Sequence, residues 1–138
     1  MATFSLGKDA KLYHGAAGAT AATEMSNVRD VTLTLEAGEA DVTTRANGGW
    51  RATAPTLREC TCEFEMVWDP DDAGFTAIKN AFLVSGLIAL KILDKAGGQG
   101  PDGDFAITSF SRNEALEEAI TVSVTAKLSV FRTWIEGA

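Results

Sequence analysis

In "CTCEFEMVW", residues 60–68, Cys60, Cys62, Phe64, Met66 and Trp68 alternate with Thr61, Glu63, Glu65 and Val67. A period of two puts the first set on one face of an extended strand and the second on the other, so one face is apolar and the other largely acidic. The period then changes. In "DPDDAGFTAIKNAFLVSG", residues 69–86, Phe75, Ile78 and Phe82 recur at helical spacing. Asp69 suits an N-cap, Pro70 the first helical position, Asp71 and Asp72 complement the helix dipole, and Gly86 can close the end. A strand followed by one amphipathic helix of about three to four turns, laid on a sheet, is the predicted unit.

The same alternation extends in both directions. "VTLTLE", residues 31–36, sets Val31, Leu33 and Leu35 against Thr32, Thr34 and Glu36. "LIALKIL" (87–93) and "DFAITSF" (104–110) read as strands, and residues 120–128 close the sheet with Ile120, Val122, Val124 and Leu128 on one face. Between them "DKAGGQGPDG" reads as a turn-forming loop. Strands, one helix, then strands predict a mainly β fold, an antiparallel β-sandwich or barrel with one flanking α-helix, in preference to βαβ units. At 138 residues the chain suits one domain. Residues 1–26, with the unpatterned "GAAGATAAT", read as an N-terminal arm, and residues 37–56 as a long inter-strand loop. Both are expected to become ordered only when a neighbour covers them.

Hydrophobic content of 46% with 22% charged residues is that of a globular chain. Nineteen acids against twelve Lys and Arg give a net charge of −7, and no stretch gathers bases as a phosphate-binding surface requires. The start "MATFSLGKDAK" lacks the apolar core of a signal peptide, which predicts synthesis in a cytoplasm. The longest apolar run, "AFLVSGLIAL", is about half of a bilayer span, so no membrane anchor is expected. Cys60 and Cys62, two apart on a strand, are expected as reduced, buried thiols, because a direct bridge at that spacing is strained.

A search for chemistry finds few parts. The lone His14 lies in the arm, away from any Ser or Cys in a strand-turn-helix setting. Carboxylate pairs such as Glu63 with Glu65 and Glu117 with Glu118 read as surface acids. "GGQGPDGD" has no following Gly-Lys-Ser/Thr for a phosphate loop, and Asp94, Asp102 and Asp104 do not match the calcium-loop spacing. No catalytic residue, cofactor or metal site is predicted.

The order of segments "MATFSLGKDAKLYHGAAGA", "NVRDVTLTLEAGEADVTTRANGGWRATAPTL", "FEMVWDPDDAGFTAIKNAFL" and "SFSRNEALEEAITVSVTAKL" resembles the major tail tube proteins of long-tailed bacteriophages and of related tail-like particles. The resemblance covers nearly the whole chain and is most specific in "LEAGEADVTTRANGGWRA". It implies a β-sandwich-like domain with a flanking helix, hexameric rings stacked into a hollow tube through which DNA passes without specific binding, and a place in the virion tail. Implied partners are further copies of the chain and the tape measure, terminator and baseplate components. A small β-barrel module binding a hydrophobic ligand or a protein is the alternative.

The long loop then acquires a role. Trp and Arg are the residue types that most often anchor interfaces, which makes Asp41, Thr43, Thr44, Arg45, Asn47, Trp50 and Arg51 the candidate subunit interface. The competing reading tucks Trp50 back onto its own domain. Glu63 and Glu65, turned away from the core, are the candidate lumen-facing residues, since an acidic wall does not hold passing DNA.

Overall fold

The computed structural model describes residues 6–136. Alternation becomes β1 (Lys11–Ala16), β2 (Thr23–Glu24), β3 (Val28–Asp41), β4 (Thr53–Val67), β5 (Leu87–Leu93), β6 (Gly100–Asn113) and β7 (Thr121–Ile135), with one helix, α1 (Ala73–Leu83), between β4 and β5. The seven strands form one sheet in the order β2-β1-β5-β6-β7-β4-β3, every pair antiparallel. Leu12 of β1, Ile88 and Leu90 of β5, Phe105 of β6, Val122 and Val124 of β7 and Cys62, Phe64 and Met66 of β4 all belong to a single buried cluster. Strands from both sides of the sheet can share one core only if the sheet curls over on itself. β6 lies at the bend, and its three register shifts, near Asp102, Asp104 and Ile107, supply the bending that bulges produce.

Helix α1 covers the open side of this core. Phe75 and Ile78 are fully buried, and the Phe75 ring meets Trp68 edge-on at 4.7 Å. Phe82 is partly exposed and stacks on Phe110. The helix starts later than its sequence suggests. Asp69 shapes a turn, its Oδ1 accepting from the Asp71 N–H at 3.1 Å, and Asp72 is the N-cap, its Oδ2 accepting from the Phe75 N–H at 2.9 Å. At the other end Ser85, not Gly86, takes the left-handed conformation, with φ 56°. The Ser85 N–H donates to the Phe82 carbonyl and the Gly86 N–H to the Ala81 carbonyl, the two bonds of a Schellman cap.

Three segments differ from their sequence reading. In the segment read as an arm, residues 1–5 lie outside the described residues. The remainder is built into the domain: β1 pairs with β5 along six residues, and Leu12, Ala21 and Met25 are buried. Its alternation is only Leu12 and His14 long, too short to stand out among small residues. In the segment read as a loop over 37–56, β3 continues to Asp41 and β4 begins at Thr53, leaving 42–52 as the connection. There the ribbon is wet on both faces, so backbone pairing proceeds without apolar alternation. Pro55 is tolerated because β4 has β3 alone as a neighbour at that point.

The third segment is the glycine-rich stretch read as a turn. The turn spans only 94–99, and Gly100 to Gly103 are strand, paired with both neighbours or buried between them. These glycines serve close approach. A Cβ on Gly100 would lie 1.5 Å from the Ile92 carbonyl oxygen, and one on Gly103 2.5 Å from that of Val130.

The sheet forks at one end. β4 and β7 pair from Val67 with Thr121 to Thr61 with Lys127 and then part. Beyond that point β7 stays with β6 as far as Ile135, while β4 stays with β3 back to Thr53. Two ribbons therefore leave the core in the same direction with a gap between them. Gly100→Ala is expected to lower stability by about 2 kcal/mol or more, the upper range of overpacking effects, because the obstructing atom is backbone. Urea unfolding measures this as a reduced midpoint.

Candidate assembly surfaces

The connection 42–52 has a defined shape made by the short polar residues of the candidate interface. Asp41 Oδ1 accepts from the Thr43 N–H at 2.9 Å. Thr43 Oγ1 accepts from the Ala52 N–H at 2.8 Å, tying the two sides of the loop together. Thr44 and Asn47 form a capping box around the 3-10 turn Arg45–Asn47, and Gly48 and Gly49, both at positive φ, turn the chain back. The Thr43 hydroxyl and backbone N–H hold the Asp41 carboxyl below the usual carboxylate range. With these four residues engaged inside the loop, three others project from it. Trp50 is 79% exposed, and Arg45 and Arg51 are exposed and make no ion pair with a described residue. Trp50 does not tuck onto its own domain.

Glu63 and Glu65 lie on the strand face opposite Cys62, Phe64 and Met66, as the alternation requires. Their cross-strand neighbours are Thr32 on β3 and Thr125 and Ser123 on β7. Thr34, Glu36, Glu59 and Thr61 extend the same hydroxyl- and carboxylate-bearing surface along β3 and β4. Lys127, across from Thr61, interrupts it, and Arg29 pairs with Glu65 at 3.3 Å. An exposed pair of this kind is worth at most about 1 kcal/mol.

Two features escaped the sequence reading. The first is a groove of roughly 780 Å³ in the fork of the sheet, lined by Leu35, Leu57, Cys60, Leu128, Phe131 and Trp134, with the charged residues Glu36, Arg58 and Glu59 beside them. Its walls come from β3, β4 and β7, with Pro101 of β6, which only the forked topology brings together. The second is a charge cluster. Arg132 on β7 donates to Asp102 Oδ1 at 3.0 Å and to Asp104 on the same strand β6, and both carboxylates are buried. Asp104 also accepts from the Gly18 N–H at 3.0 Å, which pins the β1–β2 connection to the sheet. Burial pushes the Asp104 carboxyl up, but the Arg132 guanidinium and the Gly18 N–H outweigh it and hold the group below its usual range. The signal in the sequence was the Asp-Gly-Asp triplet with an arginine in the last strand, hidden by the turn-like glycines around it.

The cysteines are free and buried, and burial pushes the Cys62 thiol up to about 12. Burial lowers His14, so it is neutral at pH 7. Among the described residues no three His, Cys, Asp or Glu cluster to hold a metal, and no helix is long and apolar enough to cross a membrane.

The described residues form a curled antiparallel sheet with one helical cover, long strand edges without a partner among those residues, and an exposed aromatic loop. The family described as phage tail tube protein matches residues 6–130, and the chain belongs to that family. Solved structures agree in fold. A chain from the tail of an empty gene transfer agent particle, refined with C6 symmetry, superposes with a TM-score of 0.80 at 19% identity, covering 98% of this chain and 100% of that one. The tail tube of SPP1 gives 0.74 at 17% identity, with 97% and 80% covered. A chain from the baseplate of the anti-feeding prophage gives 0.64 at 5% identity, with 99% and 98% covered. No curated sequence matches.

Arg132→Met is expected to cost about 3 kcal/mol or more at pH 7, since it strands two buried carboxylates without their cation. The folded pKa of Asp104 lies below its unfolded value, so its contribution is complete above about pH 4 and is lost as pH falls through the folded value. The gap between wild type and variant should therefore narrow in acid, as read by urea unfolding across pH.

Proposed function

We propose that the chain assembles into six-membered rings that stack into the hollow tail tube, and that DNA passes along a wall formed by the polar face of β3, β4 and β7. The observation that carries this reading is the pair of free edges on the ribbon β6-β7-β4-β3. β3, 14 residues long, has no partner beyond β4 among the described residues. On the far side, β6 past Ala106 has no partner beyond β7 among the described residues. An edge of that length on an isolated domain invites pairing, and joining the β3 edge of one copy to the β6 edge of the next continues the sheet until it closes on itself. Sixfold order is carried over from the gene transfer agent tail, whose symmetry is C6. The tape measure, terminator and baseplate components are the expected further partners.

In such a barrel each strand turns one face inward. The apolar face of β4 is committed to the domain core, so Glu63, Glu65 and the surrounding Ser and Thr are left for the lumen. A wall of carboxylates and hydroxyls offers phosphates little to bind and releases no counterions. The loop 42–52, with Trp50, Arg45 and Arg51 projecting, supplies the contact between copies.

Trp50→Ala should abolish tubes while leaving the far-UV circular dichroism and melting temperature unchanged. Truncating an aromatic anchor costs about 2 kcal/mol or more at each contact, and 79% exposure means the fold does not need the side chain. Tubes of wild-type length in electron micrographs of this variant would refute the loop's role. For the lumen, the double change Glu63→Lys and Glu65→Lys should leave assembled particles that retain DNA at low salt and release it as salt rises. Unchanged ejection at low salt would exclude these residues from the wall.

A further inference from the structure

A strand that joins the β6 edge has two faces to match as well as a backbone to pair. β6, β7, β4 and β3 are antiparallel at each step, so β3 runs antiparallel to β6, and a rotated copy meets that edge in the same sense as every pair inside the domain. The open stretch of β6 is residues 107–113, because β5 pairs with it only as far as Ala106. On the polar face this stretch carries Ser109 and Ser111, across from Thr125 and Ser123, and β3 carries Thr32 and Thr34. On the core face it carries Phe110, across from the buried Val124. There β3 carries Val31, Leu33 and Leu35, across from Phe64, Cys62 and Cys60. Val31, Leu33 and Phe110 are half-buried, packed against the margin of the core, and Leu35 is 54% exposed. The two edges agree face for face, hydroxyl with hydroxyl and apolar with apolar. Helix α1 stands over the core side of the open stretch. One flank, with Ala77, Ala81 and Val84, borders β1 at residues 14–16. The other carries Phe82, stacked on Phe110 at 6.2 Å, and Leu83 one step further round. Phe82 is 41% and Leu83 67% exposed, so this flank is uncovered within the chain.

We propose that the C-terminal turn of α1 is a roof between chains: Phe82 and Leu83, with Phe110 beneath them, cover Val31, Leu33 and Leu35 on β3 of the neighbouring copy in the same ring. The occupant is a second copy because any strand paired to residues 107–113 sets its core-side residues under this flank, and β3 is the strand whose own core side is left incompletely covered. Two bases lie nearby. Lys79 shares the flank of Phe82, and Arg112 closes the edge, held by the Trp68 ring at 4.8 Å and by Glu114 at 3.4 Å. Positions 31, 33 and 35 of β3 carry no charge, so neither base meets a like charge there. The contact rests on the tube reading and adds to it a dry seam behind the polar wall. A backbone hydrogen bond open to water contributes little net, and the apolar seam on one side of the joint both excludes water from those bonds and adds burial of its own. The exposed apolar end of α1, which does nothing for its own core, thereby acts between chains.

The full-length chain tests this directly. Phe82→Ser with Leu83→Ser should keep the far-UV circular dichroism of the wild type and raise the concentration at which rings and tubes appear by roughly tenfold or more. Leu35→Ser, on the other side of the seam, should do the same, whereas Phe82→Leu keeps the seam apolar and should assemble as the wild type does. Phe82→Cys combined in turn with Val31→Cys, Leu33→Cys or Leu35→Cys should, in at least one pair, cross-link assembled protein on oxidation. Bands on non-reducing gels should then stop at six chains, the ring size of the C6 relative, because the contact closes on itself. These pairs decide the matter even if the serine variant unfolds. Tubes at the wild-type concentration from the folded serine variant, or tubes of all three cysteine pairs without a cross-link, would overturn the proposal and leave the tube reading standing. A polarity-sensitive dye that binds beside Phe82 equally before and after assembly would overturn it in favour of a different protein on that face. A wild-type chain that never forms tubes would instead remove the tube reading and this contact with it.

Discussion

The ladder between β6 and β7, running from Gly100 opposite Ile135 to Asn113 opposite Thr121, is the connection on which the other parts of the molecule depend. Both strands outlast their other partners. β5 leaves β6 after Ala106, and β4 leaves β7 after Lys127. Each departure leaves a surface: a free edge on one side of the ribbon and a groove on the other. An unbroken sheet would have neither. Because long edges attract further strands, the ladder serves both as the spine of the fold and as the source of its capacity to assemble.

Two kinds of burial hold the spine. On the core side Phe105, Val122 and Val124 are fully enclosed, each worth about 1.5–3 kcal/mol on transfer from water. On the other side of β6, Asp102 and Asp104 are held by Arg132. A buried ion cluster contributes less net stability than apolar packing of the same volume, but it couples β6, β7 and the β1–β2 connection through one guanidinium and the Gly18 N–H. Glycine at 100 and 103 is the steric condition for both, since any side chain there would push the neighbouring backbone away.

The exposed residues are economical in a related sense. The short polar residues Asp41, Thr43, Thr44 and Asn47 hold the loop with hydrogen bonds inside it, so the backbone that carries Trp50, Arg45 and Arg51 has little conformational entropy left to lose on contact. Opposite them, the connection 114–120 offers an uncovered leucine among carboxylates. The connection 114–120 carries three acids and no base, and the loop 42–52 two arginines and no acid.

Alternation over Val31 to Glu36, Cys60 to Trp68 and Leu87 to Leu93, with the switch to helical spacing at Phe75, determined by itself that the fold is mainly β with one helix, and which face of β4 is apolar. These are local properties, set by where successive side chains point. The segment order carried the tail tube resemblance, and the exposed Trp and Arg of the loop were legible because their residue types are unusual there. The tertiary structure decided the rest. Whether glycines 100 and 103 turn the chain or admit a neighbour depends on what lies across from them. Whether Leu12 and Met25 belong to an arm or a core depends on β5 and α1 being present to cover them. Residues as far apart as Leu35, Leu57 and Phe131 become a groove only because β4 and β7 part company, and pairing between distant strands is a choice that no local period encodes.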